Sequence, residues 1–105
     1  MICLSVFAED YKEACTAIET HGDAVSVVEL RCDHGDETAL AEAAEAVKRP
    51  LIITCRPREH GGLWPGSEAD RARFLERSLR HRPLYLDVEL GTAAENLLDQ
   101  YPDQE

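Results

Sequence analysis

The feature that most constrains the fold of this 105-residue chain is an alternation of two hydrophobic periods. Short, mainly apolar runs predict β-strands at residues 2–8, 25–33, 51–56 and 84–90. Between them, apolar residues recur at three- and four-residue spacing. This spacing predicts helices that begin after Asp10, Asp36, Ser67 and Thr92. Strands and helices in this order predict four βα units of an α/β fold, with right-handed crossovers and a parallel sheet.

Length and composition predict one domain that covers residues 1–105. Apolar residues make up 44% of the chain, enough for a packed core, and no linker or low-complexity tract divides it. The formal net charge of −10 disfavours nucleic acid as a partner, and no apolar run approaches the ~20 residues of a membrane span. The start at 2–8 has no basic leader, and the four cysteines lack C-x-x-C spacing. We therefore expect a cytoplasmic protein with reduced thiols.

The residues of the predicted strands divide into one apolar and one polar face. Side chains alternate across a strand, and one set is wholly apolar, as residues packed under helices should be. The other set becomes charged toward the carboxyl ends of the strands, with Glu29, Arg31, Arg56, Asp87 and Glu89. A doubly wound sheet is covered by helices on both faces and should be apolar on both. We therefore expect half of a TIM (β/α)8 barrel, with a site at the carboxyl ends of its strands.

The inward charges of three successive strands allow two interpretations. A single such residue is usually a solvated charge at a strand end. A group that includes two arginines, desolvated in a barrel mouth, needs carboxylate partners or an anionic ligand, and we favour a site for a small anion. His60, in the glycine-containing loop after the third strand, is either an exposed loop residue or an acid–base group. We expect no metal site, because Cys32 and His34, near Asp33, have no further ligand close by.

Four short motifs lie at the ends of the predicted strands and together extend over nearly the whole chain. They are I-C-L-S at 2–5, E-L-R-C-D at 29–33, T-C-R at 54–56 with the glycine pair at 61–62, and D-V-E-L at 87–90. In this order they resemble the motifs of type I 3-dehydroquinate dehydratase, which converts 3-dehydroquinate to 3-dehydroshikimate in the shikimate pathway. The resemblance implies that Ser5, Glu29, Arg31 and Arg56 bind this small anionic substrate.

The resemblance also implies which groups this chain does not supply. The family's Schiff-base lysine and its partner histidine lie in the second half of the barrel, on strands absent from these 105 residues. The two lysines present, Lys12 and Lys48, fall on predicted helix positions away from the mouth. We therefore expect the amino-terminal half of a lyase that needs no cofactor and is inactive alone. His60 stands where the family usually has Glu or Gln, so an auxiliary catalytic role does not transfer to it.

Two kinds of partner could complete such a half-barrel. Its first and fourth strands would be open edges with unpaired backbone N–H and C=O groups. The missing carboxyl-terminal half could cover them, or a second copy could do so in a homodimer. The alternative function is a non-catalytic α/β module that acts through self-association.

Overall fold

Four parallel strands form one sheet in the order β1-β2-β3-β4. They belong to a computed structural model that describes residues 2–58 and 61–86. The strands are β1 (Ile2–Phe7), β2 (Val25–Arg31), β3 (Leu51–Thr54) and β4 (Tyr85–Leu86). The helices are α1 (Tyr11–His21), α2 (Glu37–Ala46) and α3 (Glu68–Ser78). The predicted α/β fold, a parallel sheet with a helix between successive strands, is confirmed.

Some predicted features lie outside the described residues. His60 is one of them, and so are Asp87, Glu89, most of the predicted strand 84–90 and the predicted helix after Thr92. No helix in the described part of the chain is both long enough and apolar enough to cross a lipid bilayer.

Most of the face of the sheet predicted to be apolar forms the core, although Ile2 and Leu84 are exposed. Val28, Leu30, Ile53, Cys55 and Leu86 are all buried. The opposite face is more open, since Ser5 is exposed and Tyr85 retains 46% of its surface. One covered and one open face is the arrangement expected of a sheet that forms part of a barrel.

The second and third strands end earlier than the sequence predicts. Cys32 still donates its N–H to the carbonyl of Thr54 at 2.7 Å, but the chain then turns, with Gly35 donating to the carbonyl of Cys32 at 3.0 Å. Gly35 has φ +71°, a conformation that glycine adopts without steric cost. The strands therefore stop at Arg31 and Thr54 rather than at 33 and 56.

Two of the three described helices begin with a side-chain cap. Asp36 accepts the N–H of Ala39 at the start of α2, and Ser67 accepts the N–H of Asp70 at the start of α3. Asp10 occupies the cap position of α1, but its side chain makes no capping hydrogen bond. A short 3-10 turn over 8–10 leads the chain into α1 instead. α1 therefore begins directly after Asp10, as the spacing predicts, but Asp10 does not cap it through its side chain.

Candidate functional site

Glu29 lies at the centre of a hydrogen-bonded row on the open face of the sheet. The β1–β2 register places Ser5 directly beside it, and the Ser5 hydroxyl donates to Oε1 at 2.7 Å. On the other side, the buried Thr54 hydroxyl of β3 donates to Oε2 at 2.8 Å. Three strands thus hold one carboxylate through both of its oxygens. Each oxygen keeps lone-pair capacity for a ligand hydroxyl.

Arg31 projects from the end of β2, two residues beyond Glu29. Its Nη2 donates to Oδ2 of Asp33, and its guanidinium carbon lies 5.0 Å from the centre of the Phe7 ring. This position allows a cation–π contact in addition to the ion pair. The side chain is 26% exposed, while its Nε is buried and has no hydrogen-bond partner among the described residues. The guanidinium is therefore oriented by one carboxylate and one aromatic ring.

Asp33 is fully buried beyond the end of β2. Besides the Arg31 guanidinium, it accepts the backbone N–H of Arg56 on Oδ1 at 2.9 Å and that of Leu63 on Oδ2 at 3.2 Å. The carboxylate replaces a strand carbonyl as the acceptor for Arg56, at the point where the β2–β3 ladder stops. Asp33 thus joins the end of β2 to both sides of the loop that follows β3.

Arg56 lies two residues beyond β3, on a backbone that the following loop approaches closely. A Cβ on Gly62 would stand 2.1 Å from the carbonyl oxygen of Arg56, so only glycine fits there. Gly62 donates to the carbonyl of Pro57 at 2.9 Å, and Trp64 donates to that of Arg56 at 3.3 Å. These contacts fix the backbone from which the Arg56 side chain extends.

A buried arginine supports the end of β3 from the helical side. Arg71 of α3 is fully buried and donates from Nη1 to the carbonyl of Cys55 at 2.5 Å. Its Nε also donates to Oε1 of Glu68 at 2.9 Å. α3 is thereby anchored next to Arg56, on the opposite face of the sheet.

The described residues contain no group of three or more His, Cys, Asp or Glu side chains that could hold a metal ion. Burial, followed by the nearby Cys55, raises the pKa of the Cys32 thiol, which favours its neutral form. His34 stacks on Phe7 with 5.3 Å between ring centres, and its Nδ1 lies 3.4 Å from the Glu9 carboxylate. Cys32 and His34 therefore have separate packing roles.

The structure brings the four substrate-binding candidates named from the sequence to the carboxyl ends of adjacent strands. Ser5 contacts Glu29 directly, whereas Arg31 is joined to the backbone of Arg56 through Asp33. Sequence reasoning did not select Thr54 or Asp33, although both fall within the quoted motifs. For Thr54 the available signal was position, since a polar residue on the inner face next to a charged one is well placed to bond to it. A carboxylate, two hydroxyls and two arginines at one sheet edge suit a hydroxylated anion.

Comparison with known proteins identifies relatives over nearly the whole chain. The family model for type I 3-dehydroquinase matches residues 2–102. A 3-dehydroquinate dehydratase from Methanocaldococcus jannaschii is 27% identical over 99% of this chain and 47% of its own length. Those from Desulfotalea psychrophila and Methanococcus maripaludis are 37% and 30% identical, over 67% and 86% of this chain and 31% and 41% of their own lengths. The chain spans less than half of each of these relatives. Matched in this way along almost its entire length, it belongs to the type I 3-dehydroquinase family.

Proposed function

We propose that this chain is the amino-terminal, substrate-binding half of a type I 3-dehydroquinate dehydratase that acts in the cytoplasm. The relatives are named for this activity, and each is matched over less than half of its length. The observation that carries the proposal is the Ser5–Glu29–Thr54 row, which lies at the same sheet edge as the Asp33-paired Arg31. Reduced thiols such as the buried Cys32 and Cys55 are compatible with the cytoplasm.

The four substrate-binding residues contact two different parts of the substrate. The guanidinium groups of Arg31 and Arg56 face the anionic part, because arginine donors match the geometry of a carboxylate. Glu29 and Ser5 face hydroxyl groups, since Glu29 is already held by two hydroxyl donors and accepts a third without rearrangement. A pre-arranged acceptor reduces the entropy lost when the ligand binds.

Covalent catalysis needs an amine that these 105 residues do not place at the site. The family forms an imine between a lysine and the substrate ketone, and a histidine then removes the adjacent proton before water leaves. Lys12 is exposed on α1, and Lys48 donates to the carbonyl of Glu45 just after α2. Both lie in the helical layer, away from Glu29 and Arg31. The isolated chain should therefore bind substrate without dehydrating it.

Ligand binding by the isolated chain tests the proposal. Calorimetry should detect 3-dehydroquinate binding that weakens as salt is raised and that is lost in Arg56→Ala. Arg73→Ala removes the same charge from exposed α3 and serves as the matched control. Absence of binding by the unsubstituted chain, or equal affinity in both variants, would contradict the assigned site.

Borohydride reduction in the presence of 3-dehydroquinate tests whether this chain supplies an amine that forms an imine with the substrate. No mass should be added to the chain, because neither lysine is near the bound ketone. A reduced adduct on Lys12 or Lys48 would show that the chain does supply an imine-forming amine, and the half-enzyme assignment would fail.

The open face of the sheet needs a partner. Tyr85 is 46% exposed on it, and at the β1 edge Ile2 is 51% exposed. Within the described residues β1 pairs only with β2, which leaves its outer edge free. In the assembled enzyme we infer that the carboxyl-terminal half of the barrel covers these groups, and in the isolated chain a second copy covers them.

Light scattering of the isolated chain at micromolar concentration should therefore give about twice the chain mass of 11.7 kDa. Ile2→Lys should shift the distribution toward monomer, because a lysine at a strand edge discourages pairing. Lys12→Ala on the exposed side of α1 is the control. A folded monomer would contradict self-association. A dimer that does not bind 3-dehydroquinate would favour the non-catalytic, self-associating module.

A further inference from the structure

We propose that Asp33 is a positioning residue, which sets the orientation of Arg31 and the place of Arg56 and so controls the affinity for an anionic ligand. This deepens, and rests on, the proposed function of the site. Asp33 acts through the two arginines rather than by touching the ligand, because its side chain is completely buried.

The burial of Asp33 requires the contacts that it makes. A carboxylate without water needs a cation or several hydrogen-bond donors to remain charged. Asp33 has both, namely the Arg31 guanidinium and the backbone N–H groups of Arg56 and Leu63. Its oxygens are used differently, since Oδ1 accepts from Arg56 while Oδ2 accepts from Arg31 and Leu63.

This arrangement couples the two arginines of the site. Arg31 is attached to Oδ2, and Arg56 is attached to Oδ1 through its own backbone. The bond to Leu63 ties the far side of the loop to the same carboxylate, next to Gly62, which packs on the Arg56 carbonyl. Loss of the whole carboxylate would therefore release both arginines, whereas loss of Oδ2 alone would release Arg31.

Arg31 depends on Asp33 for its direction. Among the described residues Asp33 is the carboxylate paired with Arg31, the Phe7 ring supports the guanidinium, and Nε has no partner. Without the carboxylate, the guanidinium would keep a ring contact that allows rotation. An anion would then have to order a mobile side chain, which weakens binding.

Asp33→Asn can keep one of these contacts while it removes the other two. The amide has the same shape, and its oxygen can still accept from Arg56, but its NH2 group meets the N–H of Leu63 and the guanidinium of Arg31 as donor against donor.

Three changes are expected in Asp33→Asn. Amide hydrogen exchange at Leu63 rises about tenfold or more while that at Arg56 is kept, nitrogen NMR shows faster rotation of the Arg31 guanidinium, and 3-dehydroquinate affinity falls about tenfold.

Asp70→Asn is the matched control, because Asp70 also pairs with an arginine, Arg73, but on exposed α3. It should leave all three readouts unchanged. An Asp33→Asn protein that is less stable but has unchanged Arg31 rotation or unchanged affinity would overturn the proposal, since Asp33 would then act only in folding.

If Asp33→Asn does not fold, measurements on the unsubstituted chain test the same role of Asp33. Leu63 should exchange slowly and the Arg31 guanidinium should rotate slowly, and free exchange or free rotation would overturn the role of Asp33. If the unsubstituted chain does not bind 3-dehydroquinate, the proposed function fails. The hydrogen exchange of Leu63 and the rotation of the Arg31 guanidinium then show independently whether Asp33 positions Arg31.

Discussion

Hydroxyl groups, rather than arginines, hold the central carboxylate of the site. Glu29 could have been oriented by an arginine or by a hydroxyl, and the structure shows Ser5 and Thr54 as its donors. Arg31 pairs instead with Asp33, two residues along the chain. Within the described residues the contacts of the Glu29 carboxylate come from hydroxyl groups, so it suits a ligand hydroxyl better than a ligand carboxylate.

Thr54→Val should lower the free energy of unfolding by about 1–2 kcal/mol. Valine has nearly the same shape, but it removes the buried donor to Oε2 of Glu29. Urea denaturation measures the change. Thr38→Val on the exposed side of α2 is the control and should stay within about 0.5 kcal/mol of the unsubstituted chain. Equal effects at the two positions would show that the Thr54 bond contributes nothing.

The sequence predicts which side chains share the open face, but not every bond between them. Strand alternation places Ser5, Glu29 and Arg31 on one side because successive residues of a strand point in opposite directions. That rule stops where the strand stops. Asp33 lies within the turn beyond β2, so its inward direction depends on the backbone geometry at Gly35 and on the loop after β3.

At the level of elements, two of the three arginines of α3 have different surroundings. Arg71 is buried, bonded to Glu68 and to the Cys55 carbonyl at the end of β3. Arg73, two residues later, is exposed and pairs with Asp70. Each of these two arginines has its carboxylate three residues earlier, so α3 allows two ion pairs of the same spacing to be compared with and without burial.

Arg71→Met should lower the free energy of unfolding by about 2–3 kcal/mol. Breaking a fully buried pair costs about 3–5 kcal/mol, and the partial exposure of Glu68 reduces this value. Arg73→Met is the matched substitution and should have little effect, because water screens the exposed pair. Thermal and urea unfolding of the two variants measure the difference. Equal destabilisation would contradict an anchoring role for Arg71.

The starts of the helices can be predicted from the nearby sequence, but the contacts that hold the helices to the sheet cannot. Asp36 and Ser67 cap α2 and α3 as their positions indicate, because a side-chain acceptor there satisfies a free N–H of the first turn. No comparable pattern in the sequence predicts that Arg71 is buried. A charged residue on a helix is usually exposed, and the bond of Arg71 to the carbonyl of Cys55 at the end of β3 helps to account for its burial.

For the molecule as a whole, three groups make stability depend on pH in the same direction. Partial burial, followed by the charge of Arg80, lowers the pKa of His81 below 6.5. Hydrogen bonds from Arg77 and from Arg73 lower the pKa of Glu37 and of Asp70. In each case the unfolded chain takes up a proton at a higher pH than the folded chain does. Stability is therefore fully present above the unfolded pKa values and is lost as the pH falls.

The first decrease in the free energy of unfolding is therefore expected just below pH 6.5, where unfolded His81 becomes protonated. His81→Gln should flatten this part of the profile, because glutamine does not titrate and removes the imidazole that accepts from Arg80. The decrease at lower pH, where Glu37 and Asp70 titrate, should remain. Urea titrations at a series of pH values measure both. An unchanged slope below pH 6.5 in His81→Gln would contradict the contribution of His81.

The order of the strands in the sheet is the same as their order along the chain. Every pairing in the described residues joins a strand to the one made just before it, from β1–β2 through β3–β4. On a ribosome, where the amino end appears first, each new strand finds its neighbour already in place. None of these described pairings has to wait for a partner from much later in the chain, so this part of the sheet can grow at the pace of translation, one βα unit at a time.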